Sequence, residues 1–139
     1  MIEENQLFYT CDFEVRDTEI DIEGIVSNPN YLIYMQHARN KHIKALGIDF
    51  IEMHKEGYDF LLVHTDISFK DSLRSGDEFS VTSRLELNKI RVIFYQEVIR
   101  KKDNKVVTTA TNTVVCIDAA TKKPLVPEKL KKTCLREFL

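Results

Sequence analysis

The sequence is poor in the residues that build special-purpose scaffolds. Its 139 residues include only 3 cysteines, 4 glycines and 3 prolines, which excludes a disulfide-stapled, collagenous or disordered chain. Cys11, Cys116 and Cys134 are odd in number and show no C-x-x-C spacing. That excludes a disulfide framework and a zinc knuckle and leaves three ordinary thiols. His37 and His42 stand five apart, about 140° around a helix, and His54 and His64 follow at no ligand-like interval, so no metal site is expected. An excess of charge of one sign is also missing. Twenty Lys and Arg against 22 Asp and Glu give a formal charge of −2, too little for a global field that would hold nucleic acid or an anionic membrane. No apolar run approaches the ~20 residues of a membrane span, and the acidic start Met1–Gln6 has no apolar signal region. A cytoplasmic chain with neither membrane nor nucleic-acid partner is expected. P-loop, G-x-G-x-x-G and G-x-S-x-G motifs are absent, which removes the common nucleotide-binding and serine-hydrolase signatures.

What remains is a soluble globular composition, 43% hydrophobic and 30% charged, on a chain the size of one domain, 1–139. Leu7, Tyr9, Cys11, Phe13 and Val15 alternate with polar residues, the period of a strand with one buried face. Asn28-Pro29 reads as a helix start, with Asn as cap and Pro in the first turn, and Gly47 reads as its terminator, predicting a helix from Pro29 to Leu46. Its first two turns are apolar nearly all round, so it is expected to be wrapped. Four strand-like runs follow: Phe60–Lys70, Asp77–Leu87, Arg91–Lys101 and Lys105–Asp118, the last two joined as a hairpin through polar residues 101–105. Arg91–Ile99 is apolar on both faces, as suits a central strand covered by the helix on one side and by a second protomer on the other. Apolar residues at helical spacing over Pro127–Leu139 predict a short C-terminal helix, with its lysines on the wet side. The expected class is α+β, order β-α-β-β-β-β, with one long helix set in an antiparallel sheet.

No activated Ser or Cys motif is present, so the most economical reactive group is a carboxylate close to a helix N-terminus. Asp21 fits that description, seven residues before Asn28, with Gly24 between them to permit an unusual backbone path. The open end of a helix offers unpaired N–H donors and partial positive charge, suited to an oxyanion. A carboxylate and an oxyanion hole together hydrolyse an activated acyl group, by attack on the carbonyl or by deprotonating water. The competing account is that Asp21 simply accepts backbone hydrogen bonds in a loop. Asp17, Glu19 and Glu23 flank it and read as exposed loop acids.

The run Val15 to Leu32, with Asp21-Ile22-Glu23-Gly24-Ile25-Val26-Ser27-Asn28-Pro29-Asn30-Tyr31 at its centre, resembles the signature of the hotdog-fold acyl-CoA thioesterases of the 4-hydroxybenzoyl-CoA thioesterase type. Tyr34-Met35, Ala38-Arg39 and Leu46-Gly47 continue the likeness, and Asp71-Ser72-Leu73-Arg74-Ser75-Gly76-Asp77 resembles the family's polar connection between strands. The resemblance implies a hotdog fold in which a five-stranded antiparallel sheet wraps a long central helix. It implies that Asp21 is the catalytic carboxylate and that the backbone N–H near Asn28 polarises the thioester carbonyl. It further implies an acyl-CoA substrate, hydrolysis without metal or organic cofactor, and an active site at the interface of a dimer or tetramer. Gly24, Ile25, Val26, Pro29 and Tyr31, with His64 from the next strand, form the expected substrate-binding set, for which core packing or structural hydrogen bonding is the plainer alternative. Lys70, Arg74, Lys89 and Arg91 fit coenzyme A phosphates and a solvated face equally well. Many relatives acting on short acyl groups carry Tyr and His where this chain has Asp17 and Asn28, and an Asn amide cannot act as a base. Two other activities fit the same block: hydrolysis of acyl groups on acyl carrier protein, and acyl-CoA binding without cleavage.

Overall fold

The computed structural model describes residues 7–126 together with 128 and 131. Apart from Glu128 and Lys131, the helix expected over Pro127–Leu139 lies outside the described residues. Strand β1 (Phe8–Glu14) is followed by helix α1 (Asn28–Ala45), a short helix α2 (Phe50–Lys55), and strands β2 (Tyr58–Phe69), β3 (Glu78–Asn88), β4 (Arg91–Arg100) and β5 (Lys105–Asp118). All five strands join one antiparallel sheet in the order β1-β3-β4-β5-β2. This is the helix-and-sheet arrangement that the resemblance implied. No helix among the described residues is long and apolar enough to cross a membrane.

Helix α1 begins one residue earlier than the sequence predicts, because Ser27 holds the extended cap conformation at ψ 144° and Asn28 is already helical. Ser27 does not cap with its own hydroxyl, which instead accepts from Asn30 Nδ2 at 2.7 Å. Pro29 sits in the first turn, where its missing N–H costs nothing. Gly47, at φ +84°, ends the helix in the left-handed conformation only glycine adopts cheaply.

The helix buries Tyr31, Tyr34, Met35, Ala38, Arg39, His42 and Ile43. Its first half joins Val15, Val26, Leu73, Phe79, Val81 and Val98 in one apolar cluster, and Ile43 joins Leu7, Ile48, Met53, Leu85, Val92 and Phe94 in another. Arg39, His42, Gln96 and Asn112 are buried as well, the polar part of the same interior. Leu32 and Ile33, part of the nearly all-round apolar surface of the first two turns, are 40% and 56% exposed on the flank the sheet does not reach. The sheet covers a single side of α1, chiefly through β1, β3 and β4.

Central strand β4 buries Val92, Phe94, Gln96 and Val98 toward the helix and leaves Ile93, Tyr95 and Ile99 half-buried on the outer face. Strand β2 starts two residues before its predicted boundary, and a bulge between Leu62 and His64 leaves Val63 exposed instead of inward-facing. Ile67 does turn inward onto the first cluster, as the alternation predicts, whereas Phe69 is 45% exposed although its ring meets Tyr31. Helix α2 was not expected. Its signal is Asp49, whose carboxylate caps it by accepting from the N–H groups of Ile51 and Glu52, but six residues are too few for a periodic pattern.

Candidate active site

The segment between β1 and α1 folds back on itself as a short ladder. Ile20 and Val26 form an antiparallel bridge, Asp21 N–H donates to Ile25 O at 2.8 Å, and Ser27 N–H donates to Glu19 O at 3.1 Å. The reversal is closed by Gly24 N–H donating to Asp21 O at 3.0 Å, with Gly24 at φ +79° and Ile22 at the fully exposed tip. Asp21, half-buried, anchors this turn with its side chain: Oδ1 accepts from Glu23 N–H at 2.9 Å and from Ile25 N–H at 3.4 Å. Its second carboxylate oxygen receives no hydrogen bond from the described residues.

The turn is held in place by the 71–77 connection. Val26 N–H donates to Leu73 O at 2.9 Å, Ile25 bridges Arg74, and Ser75 Oγ donates to Asp17 Oδ1 at 2.5 Å. Leu73 N–H in turn donates to the buried Tyr31 hydroxyl at 3.0 Å, and Asn30 Nδ2 donates to Glu19 O at 2.9 Å. Loop, connection and first turn of α1 are therefore one hydrogen-bonded unit. Asn28 and Pro29 lie exposed at its edge, and Asn28 N–H, a first-turn donor with no helical acceptor, meets no partner among the described residues.

Of the residues singled out in the sequence, the structure gathers Asp21, Gly24, Ile25, Val26, Asn28, Pro29 and Tyr31 at this junction. Val26 and Tyr31 are each 2% exposed, so they face the core and shape the junction from beneath. His64 stands apart within one chain. It is exposed on β2, five residues, roughly 16 Å of strand, from Phe69, which is the residue that reaches Tyr31.

Glu19 corrects the expectation of an exposed loop acid, being only 7% exposed. Its carboxylate accepts from Arg16 N–H at 2.8 Å and from Arg16 Nη2 at 3.2 Å. Burial, together with the adjacent Glu19 carboxylate, pushes the Tyr34 phenol far above its ordinary range and keeps it neutral. The sequence signal for this was the Arg16–Glu19 spacing, which suits a local ion pair on a single turn.

Two concavities flank the helix and sheet. One, about 480 Å³, lies between α1 and the start of β2 and includes Arg39, Phe60, Leu62 and Phe94 in its lining. The other, about 590 Å³, lies on the outer face of the sheet around Thr82, Tyr95 and Thr111. Residues of the Asp21 turn line neither.

Residues 15–133 match the model of the thioesterase-like superfamily, and the chain belongs to that family. It is 30% identical over 115 residues to a putative acyl-CoA thioesterase, YneP, of Bacillus subtilis, covering 82% of this chain and 83% of that one. It is also 29% identical to the chloroplastic acyl-acyl carrier protein thioesterase ATL2 of Arabidopsis thaliana, covering 89% of this chain. The chain spans 66% of that plant relative's length, a little under two thirds. Among solved structures, a 1,4-dihydroxy-2-naphthoyl-CoA thioesterase from Synechocystis superimposes with a TM-score of 0.86 at 18% identity, covering 92% of this chain and 96% of that one. That likeness establishes the hotdog fold.

Proposed function

We propose that this chain hydrolyses an acyl-CoA thioester to a free carboxylic acid and coenzyme A. The observation that carries the reading is the state of Asp21, one oxygen fixed by two backbone N–H groups and the other unbonded among the described residues, in a turn continuous with the open end of α1. A carboxylate so held is oriented with one oxygen left to react. It acts as nucleophile on the thioester carbonyl or as general base on water. The Asn28 N–H, without a partner among the described residues, supplies the oxyanion donor, helped by the partial positive charge of the helix end. Superfamily membership and the name of YneP support the same reaction.

The working unit in this reading is a homo-oligomer. Strand β2 is an outer strand of the sheet, and Leu61, Leu62 and Val63 stand 46%, 49% and 55% exposed along it. An edge strand with three consecutive exposed apolar residues calls for cover. A second copy of β2 provides it and brings His64 of each chain to the shared interface.

Hydrolysis of acyl groups on acyl carrier protein is the second reading, favoured by the likeness to ATL2. The test is thiol release from one set of short, medium, long and aromatic acyl groups presented on coenzyme A and on acyl carrier protein. Faster release from coenzyme A supports the first reading, and faster release from the protein carrier supports the second. Binding of intact acyl-CoA without release on either carrier overturns both.

A further inference from the structure

Helix α1 packs chiefly on β1, β3 and β4, and the 480 Å³ pocket lies between its middle turns and the start of β2. Its walls are mostly apolar, from Ile43, Phe50, Phe60, Leu62, Phe94 and Val114. Arg39 is set into them at only 7% exposure. A guanidinium has five N–H donors and a permanent charge. Among the described residues one bond is made, from Nη1 to the neutral Gln96 Oε1 at 3.1 Å.

That acceptor is already shared, since Asn112 Nδ2 donates to the same oxygen at 2.8 Å, and Gln96 Nε2 is spent on Met35 O at 3.0 Å. Among the described residues no carboxylate pairs with Arg39. Asp59 lines the same pocket, and its Oδ1 is bonded to His54 Nδ1 at 2.5 Å and not to Arg39. Burial draws the Arg39 pKa down to about 10, so it stays charged at neutral pH. Removing a cation from water without a counter-charge costs several kcal/mol, and an anionic ligand relieves that cost. A volume within the ~300–1,000 Å³ range of small-molecule sites, apolar walls and a single charged anchor are the ordinary features of a ligand pocket.

We propose that this pocket binds an amphipathic carboxylate, its charged end on Arg39 and its hydrocarbon body against Phe50, Phe60 and Phe94. Gln36 and Asn40, exposed on neighbouring turns of the lining, supply further amide donors. Two sources present this chemistry: a free fatty acid, and the terminal carboxylate of an acyl group still on its carrier. The second rests on the thioesterase reading. Asn28 and Arg39 are eleven residues apart, three turns and about 20°, so they share a helix face ~16 Å apart along the axis. A long acyl chain held at Asp21 would run along that face past the exposed Leu32.

Calorimetric titration of the intact protein with decanoate, and with the uncharged decanol, tests the site. Saturable decanoate binding is expected, weakened about tenfold or more in Arg39→Gln and in the pocket-filling Gln36→Trp, and unchanged in Asp21→Asn. Because Gln36 is exposed, its variant remains folded even if Arg39→Gln does not. Hydrolysis of dodecanoyl-CoA and its ω-carboxy counterpart then separates the sources. A lower KM for the ω-carboxy substrate, lost in Arg39→Gln, assigns the acyl terminus, and equal KM values beside decanoate binding assign the free acid. Absence of decanoate binding together with equal KM values overturns the proposal, as does decanoate binding that neither pocket variant weakens. The calorimetric result stands even if no thioester is hydrolysed.

Discussion

Leu73 and Tyr31, 42 residues apart in the chain, are joined by a hydrogen bond from the Leu73 N–H to the Tyr31 hydroxyl at 3.0 Å. Both residues are buried, Leu73 completely, so this N–H has no access to water as an alternative partner. The bond ties the first turn of α1 to the connection that also carries Val26 and Arg74, and through them the Asp21 turn. Tyr31→Phe is therefore expected to leave a buried donor unpaired and to cost about 1–3 kcal/mol. Urea denaturation of the two proteins measures it, and an unchanged midpoint would show that the contact carries no stability.

Gly24 reverses the chain at φ +79°, yet a side chain placed there would touch nothing within 4 Å. The penalty for a substitution is then purely one of backbone conformation. Gly24→Ala should lower stability by about 1–2 kcal/mol, and Gly24→Asn by less, since Asn tolerates the left-handed region. Thermal melts of both variants give the ranking, and the reverse order would contradict it.

The 71–77 connection is pinned by charge. Lys105 Nζ donates to Asp71 Oδ2 at 2.9 Å, the Ser72 N–H donates to Oδ1 at 2.8 Å, and Arg100 Nη2 donates to Oδ2 at 3.0 Å. The Lys105 ammonium first, then the Ser72 N–H and Arg100, hold the Asp71 carboxyl well below the ordinary carboxylate range. A carboxylate depressed in the folded state contributes stability that is complete above its unfolded pKa of ~3.9 and is lost as pH falls through the folded value. Urea midpoints should therefore fall from about pH 4 downward. Asp71→Asn should flatten the profile in that window, and a variant profile parallel to the wild type would count against the assignment.

Exposed Leu61, Leu62 and Val63 on the outer edge of β2 predict self-association. Light scattering should return a multiple of the 16.2 kDa chain mass. Leu62→Lys should shift the protein toward the monomer by placing a charge on the edge. A wild type that is monomeric at micromolar concentration removes the dimeric active site from the account.

The extent of α1 was legible because Pro29 and Gly47 punctuate it by local chemistry, and the β4–β5 hairpin because polar residues 101–104 separate two apolar runs. The bulge at Val63 was not legible, since register on an edge strand is set by the partner β5 and not by the alternation of β2 itself. The Asp21-to-Tyr31 block marked the candidate site in sequence, yet nothing local revealed that residues 71–77 would supply its scaffold. Glu19 and Arg39 were opaque for a related reason: charged residues are rarely buried, and only the assembled core shows what surrounds them. In Arg39 the clue was its place on a stripe otherwise filled by Met35, Ala38 and Ile43.

The central claim is that Asp21 is the reacting carboxylate, and Asp21→Asn tests it most directly. The amide oxygen of Asn can still accept from Glu23 and Ile25, so the turn is retained while the charge is lost. With folding checked by circular dichroism, kcat for the preferred acyl-CoA should fall by ~10²–10⁴-fold. Turnover equal to the wild type would contradict the account and return Asp21 to a purely structural part in its loop.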